Sequence, residues 1–141
     1  GDPYVIEYNV RMGDPETEVV LPRLKTDILS LFEAMAKGEL EHAAFHLDDR
    51  FCTTVMLVSQ GYPGDYEKGK EITGLSEVDG SIVFHAGTKL ADGKVLTNGG
   101  RVLAVSSFGK TMQEALNRSY ENVAKIHFDG VNFRRDIGFD L

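Results

Sequence analysis

The chain has 141 residues, 42% of them hydrophobic and 26% charged, and a net charge of −7. That length suits one domain, or one domain with part of another, and the acidic balance argues against non-specific binding to nucleic acid or an anionic membrane. No apolar run approaches the ~20 residues of a spanning helix, and the single cysteine, Cys52, has no partner for an intrachain disulfide, so the expectation is a soluble, cytoplasmic protein with Cys52 as a buried structural thiol.

In chain order, "PYVIEYNV" (residues 3–10) reads as a strand already under way. It predicts a first strand from about Tyr4 to Met12, with Ile6, Tyr8, Val10 and Met12 on one face and Val5, Glu7, Asn9 and Arg11 on the other. With Gly1 in place of a starting methionine, these residues read as the end of a domain whose larger part lies upstream. A strand cut from its neighbours exposes an unpaired edge, which predicts dimerisation of the fragment through it. Asp14 and Pro15 then give a helix-start signal, an N-cap acid with proline at the first helical position. Glu16 falls in the first turn, where its charge suits the helix dipole, and Pro22 ends or kinks this short helix. Asp27 caps a second helix, "ILSLFEAMAK", whose Ile28, Leu31, Phe32 and Met35 form an apolar stripe before Gly38 stops it.

The polar, weakly patterned "GELEHAAFHLDDR" (38–50) reads as a linker, dividing the chain into a first unit over 1–47 and a second over 48–141. Beyond it the chain turns β-rich. "CTTVMLVS" (52–59) and "SIVFHAG" (81–87) predict strands. "KLADGKVLTNGGRVLAVSS" (89–107) predicts short strands joined by hairpin turns at Asp92-Gly93 and Asn98-Gly99. Thr111 with Glu114 makes a capping box for the helix "MQEALNRSYENVAKIH", which offers Ala115, Tyr120, Val123 and Ile126 to a sheet. The expected class is α+β: a strand and two helices, then a β-rich unit with one long helix.

Some motifs carry less than they suggest. "GDYEKGK" (64–70) nearly matches a phosphate-cradling loop, but Glu71 stands where Ser or Thr must hold the metal, and the two glycines that follow cannot supply the helix. His42 and His46 share zinc-like spacing, yet two histidines do not make a site. Ser106-Ser107 lack the glycine elbow of a hydrolase nucleophile.

The first strand is more informative. Glu7, Asn9 and Arg11 project into one space. Glutamate and asparagine supply hard oxygen ligands suited to Mg²⁺, which fills out its shell with phosphate oxygens, and arginine beside them can orient a phosphate through paired hydrogen bonds. A solvent-facing strand gives the same alternation, so spacing alone leaves both readings open.

The longer run "EYNVRMGDPETEVVLPRL" (7–24) closely resembles the end of the ATP-grasp domain in phosphoribosylamine–glycine ligases, also called glycinamide ribonucleotide synthetases. The likeness continues in order through "GYPGDYEKGKEITGL" (61–75), "VFHAGTKLADGKVLTNGGRVLAV" (83–105) and "FRRDIG" (133–138), and is weak only over 38–50. It implies a reaction in which ATP, glycine and 5-phosphoribosylamine give glycinamide ribonucleotide, ADP and phosphate, an early step of purine synthesis. It implies Mg²⁺ or Mn²⁺ held by Glu7 and Asn9, Arg11 facing the ATP or acyl phosphate, and Asp14 contacting the substrate amine. In the second, barrel-like domain it implies that Lys89, Gly99, Gly100 and Arg101 receive the ribosyl phosphate, where bare backbone N–H groups approach an anion closely. His85 lines that pocket or is an ordinary strand histidine. Arg134 and Arg135 are secondary anion candidates, better read as tail ion pairs, with Asp136 as a partner. The family's adenine pocket, phosphate-gripping lysine, glycine-rich lid and another metal carboxylate lie upstream of these motifs, so the chain by itself is expected to be inactive.

Two rivals remain. Another ATP-grasp carboxylate–amine ligase would share E-x-N-x-R, although the "HAGTKLADGKVLTNGGR" run is far more particular. A non-catalytic binding or assembly module would use the β-rich half alone.

Overall fold

The computed structural model describes residues 3–8 and 10–140. Its strands are β1 (Phe51–Ser59), β2 (Ser81–His85), β3 (Thr88–Ala91), β4 (Lys94–Thr97), β5 (Arg101–Gly109) and β6 (Val131–Asn132). β1 and β5 are rich in valine, threonine and leucine, types that pack well on a pleated surface, and they pair antiparallel from Phe51↔Gly109 to Leu57↔Leu103. β2 adds to the other edge of β5 and β6 to the other edge of β1, giving an antiparallel sheet ordered β2-β5-β1-β6.

β3 and β4 form a separate hairpin. Asp92 (φ +50°) and Gly93 (φ +74°) both lie in the left-handed region, the signature of a type I′ turn, so that turn forms as expected. The Asn98-Gly99 expectation is corrected: β4 does not pair with β5. Its free side meets residues 70–72 instead, through Thr97 N–H to Lys70 O (2.8 Å) and Ile72 N–H to Val95 O (2.8 Å). Among the described residues the strands thus form one four-stranded sheet and a separate hairpin, with no ladder closing them into a barrel.

Strand alternation gives the sheet two unlike faces. Thr53, Val55 and Leu57 face helix α3 (Met112–Val123), and Thr53 shares a 3.1 Å hydrogen bond with Ser119 of that helix. Between the layers lies the core, in which Val55, Leu57, Leu103 and Val105 are fully buried, along with Val123 and Ile126. Thr111 accepts from Glu114 N–H (3.1 Å), as the capping box requires, while the Glu114 carboxylate reaches back one residue further, to Lys110 N–H (2.8 Å). The helix stops at Val123, short of the run to His127 that its sequence suggests. Near its end Asn122 is buried, accepting from Asp79 N–H (3.1 Å) and donating to Asp79 O (2.8 Å) and Ser81 Oγ (2.7 Å).

The opposite face carries Thr54, Met56 and Ser106. Here Ser106 Oγ donates to the carbonyl of Glu18 (2.8 Å) and shares a second bond with Thr54 Oγ1 (2.9 Å), which ties helix α1 (Thr17–Val20) to the sheet. Pro22 follows in a 3₁₀ turn, Leu21–Arg23. Helix α2 (Ile28–Lys37) keeps its expected bounds: Asp27 accepts from Leu29 and Ser30 N–H, and Gly38 closes it at φ +72°. It buries no residue. The segment read as a linker folds back on residues 23–26, with Leu24 bridged to Leu47, Lys25 N–H on His46 O (2.9 Å) and Asp48 N–H on Arg23 O (2.7 Å).

Two expectations fail at the start of the chain. Residues 3–8 and 10–12 form no strand, and Tyr4, Ile6, Tyr8 and Val10 are 84–97% exposed. A strand needs a neighbour to satisfy its backbone, and among the described residues none lies alongside. The first helix begins at Thr17 after Glu16, not at Asp14. The Asp14 carboxylate is drawn elsewhere. Among the described residues no helix is long and apolar enough to cross a membrane.

Candidate functional site

Asp14 meets Arg101. Its carboxylate lies 3.0 Å from the guanidinium, with both side chains a little under half exposed, so two residues that the sequence assigned to different ligand groups sit together. The turn that delivers Asp14 is held by Glu16, whose Oε2 accepts from Gly13 N–H (2.6 Å). Glu16 thus supports the loop, and it also stands at the N-cap of α1, where its charge suits the helix dipole. Arg101 heads β5, opposite Val58, where the register with β1 shifts by a residue. That shift turns Arg101 to the face that carries Thr54, Met56 and Val58.

This face forms the floor of a cleft of about 540 Å³, walled by Pro15, Tyr62, Phe133 and Ile137 and flanked by Arg101 and Arg134. Arg134 is clamped by Asp136 through both carboxylate oxygens, at 2.9 and 3.0 Å, which holds Asp136 below its usual range. The tail ion pair expected for Arg134 is therefore present. Arg135 instead lies 4.8 Å over the Phe133 ring.

Gly99 and Gly100 approach the site for a steric reason that the hairpin reading missed. A Cβ on Gly100 would run into the Tyr62 ring, one on Gly87 would strike Arg101 O, and one on Gly99 would crowd the Gly87 backbone. The carbonyls of Gly99 and Gly100 are taken by Ser59, from Oγ (3.0 Å) and N–H (2.8 Å) respectively. Because a trans peptide aims N–H and C=O in opposite directions, this turns the Gly100 and Arg101 N–H groups away from Ser59.

Other expected site residues are not gathered here. Lys89 is exposed on β3 and does not line the cleft. His85 bonds Thr88 Oγ1 (2.9 Å) and faces a different, apolar hollow with Glu18 and Leu21. Glu7 is exposed, and Arg11 donates to the neighbouring Met12 carbonyl (3.2 Å). Asn9 lies outside the described residues. Among the described residues no three His, Cys, Asp or Glu gather as a metal shell. Glu7, a hard oxygen donor, fits Mg²⁺ only as part of a shell that other groups complete. The near-P-loop stretch is followed by only a short 3₁₀ turn, Leu75–Glu77, and no α-helix before β2, and its Lys70 is held by Glu67 (2.7 Å) and Asp129 (3.0 Å), which raises the ammonium's pKa. Cys52 is half-buried, and burial pushes its thiol up. Sequence reasoning missed Tyr62 altogether. The available signal was an aromatic in a glycine-rich loop, "GYPGDY".

Residues 52–140 match the family described as phosphoribosylglycinamide synthetase, C domain, and the chain belongs to that family. It is 46% identical over 142 residues to the phosphoribosylamine–glycine ligase of Escherichia coli, covering 99% of this chain and 33% of that protein. The corresponding enzyme of Caldanaerobacter subterraneus is 45% identical, with 96% and 32% covered. A trifunctional purine biosynthetic protein of Gallus gallus is 46% identical over 97% of this chain and 14% of its own. The crystal structure of the Thermotoga maritima phosphoribosylamine–glycine ligase superposes with a TM-score of 0.83 at 42% identity, over 96% of this chain and 34% of that one. The chain thus spans about a third of the length of the single-function ligases it matches.

Proposed function

We propose that these residues work as the C-terminal third of a phosphoribosylamine–glycine ligase, with 1–47 completing the ATP-grasp domain and 48–141 forming the C-terminal domain. The observation that carries this reading is the Asp14–Arg101 pair on the rim of the cleft. An amine and a phosphate are the two ends of 5-phosphoribosylamine. A carboxylate for the first and a guanidinium for the second therefore suit one substrate.

In the proposed reaction a glycine carboxylate oxygen attacks the γ-phosphorus of ATP, and the bond from that phosphorus to the β–γ bridging oxygen breaks. Glycyl phosphate and ADP result. The ribosylamine nitrogen then attacks the acyl carbon; its C–N bond forms as the C–O bond to phosphate breaks, and the nitrogen gives up a proton. Asp14 orients the amine, and Arg101 with the N–H groups beside Gly99 and Gly100 takes the ribosyl phosphate. Lys89 joins them only if β3 moves toward the cleft. Arg11 faces the transferring phosphoryl group. Glu7 and Asn9 would hold Mg²⁺ or Mn²⁺, whose charge, when bound, offsets that of the phosphates. ATP, glycine and the upstream domains are thus the partners, and the cytoplasm the setting.

The test is a ligase of the relatives' full length that carries these 141 residues as its C-terminal third. Arg101→Ala should raise KM for phosphoribosylamine about ten-fold or more, the worth of a charge-assisted hydrogen bond, with little change for glycine. An equal loss for both substrates, or none, would overturn the reading. The 141-residue chain alone should release no ADP; glycine- and phosphoribosylamine-dependent release from it would show that the chain needs no other domain.

A further inference from the structure

We infer that Tyr62 is a positioning residue for Arg101, a platform that fixes the guanidinium at the cleft and so sets affinity for the phosphate end of the substrate. The inference rests on the reading above that Arg101 receives that phosphate, and extends it to a residue outside the charged set.

Three contacts converge on this ring. The Arg101 guanidinium carbon lies 5.9 Å from its centroid, within reach of a cation–π attraction. Gly100, next to Arg101, leaves open the space that the ring edge fills, so any side chain there would displace either the ring or the strand. Tyr66 meets the ring edge-on at 6.3 Å and 60°, a favourable aromatic geometry. The loop that carries Tyr62 is itself pinned. Ser59 holds the Gly99 and Gly100 carbonyls at its start, Gln60 N–H bonds Gly130 O (2.8 Å) and Tyr62 N–H bonds Ser59 O (3.1 Å). Gly61, at φ +93°, lets the loop curl against the Asp65 carbonyl.

The arrangement matters because Arg101 is otherwise a long, part-exposed side chain whose ionic partner, Asp14, belongs to a lightly packed segment. When the substrate amine engages Asp14, that tie weakens, and the ring becomes the fixed support. A guanidinium with fewer rotamers to lose binds an anion more tightly.

The experiment is a double-mutant cycle in the full-length ligase that carries these residues, read as kcat/KM for phosphoribosylamine and KM for glycine. Tyr62→Leu should lower kcat/KM for phosphoribosylamine about three-fold, the scale of an exposed cation–π contact, while KM for glycine moves less. Tyr62→Phe keeps the ring and should restore the value. In an Arg101→Ala background, Tyr62→Leu should cost nothing further. The inference is overturned if Phe is as poor as Leu, if both substrates suffer alike, or if Tyr62→Leu costs as much without Arg101 as with it. Should Arg101→Ala itself leave phosphoribosylamine untouched, the phosphate reading fails. An Arg101 effect with no Tyr62 effect sinks this inference alone. Matching thermal midpoints for the Leu and Phe variants show that folding is not the cause.

Discussion

Helix α3 lies against β1 and β5 with Ala115, Leu116, Ser119, Asn122 and Val123 buried, whereas α2 buries none of its residues and leaves Phe32 and Met35 more than half exposed. Both helices begin on good caps, Thr111 and Asp27, and both are amphipathic. What separates them is whether a sheet is present to receive the apolar stripe. Capping and periodicity define a helix locally; only a facing layer converts its stripe into stability. The same contrast runs through the strands. β5 is bonded on both edges, while the described residues of the equally strand-like first segment, 4–8 and 10–12, pair with no strand and stay irregular.

The contrast can be tested by removing weight from each side. Leu103→Ala, in the fully buried centre, should lower unfolding free energy by about 2–5 kcal/mol, seen as a lower denaturant midpoint. Thr111→Ala should cost about 1 kcal/mol of global stability. Asp27→Ala, the matching loss in α2, should instead reduce helical signal before the main transition and leave that transition in place. Asp48 offers a pH-dependent test. Arg50 grips both of its oxygens, with Lys25 nearby, and holds the carboxyl well below its ordinary value near 3.8. The native state therefore binds this proton less readily than the unfolded chain. The resulting stability is complete above the ordinary value and drains away as pH falls below it toward the native one. The stability gap between wild type and Asp48→Asn should accordingly be widest above pH 4 and narrow on acidification. Smallest of all, Phe32→Ala should change stability by no more than about 0.5 kcal/mol. A loss near that of Leu103→Ala would mean that α2 is packed after all, and the contrast would fall.

Much of the fold was legible because its signals are local. Asp27 and Gly38 bound α2, Asp92-Gly93 makes its hairpin and Thr111 starts α3, each through contacts within a few residues. Where neighbours distant in sequence decide, the reading failed. Asn98-Gly99 resembles a hairpin turn, yet its glycines are there because Gly87 and Tyr62 crowd the same space. The supposed linker carries Asp48, whose distant partner Lys25 reaches it only because residues 46–48 pair with 23–25. For the site, resemblance supplied Asp14 and Arg101 separately, and nothing in their spacing revealed that they touch. Tyr62 could be recognised only once its loop was seen to lie across Gly100.

The position of β5 between β1 and β2, beneath α3, has a consequence for the timing of exposure to solvent. Its backbone amides should be among the last to exchange with deuterium, reporting global opening, while those of residues 10–20 exchange within local fluctuations. Arg101 grows from the slow strand and Asp14 from the fast segment. A ligand that bridges the two side chains would therefore announce itself by slowing exchange around Gly13 and Glu16 without altering β5.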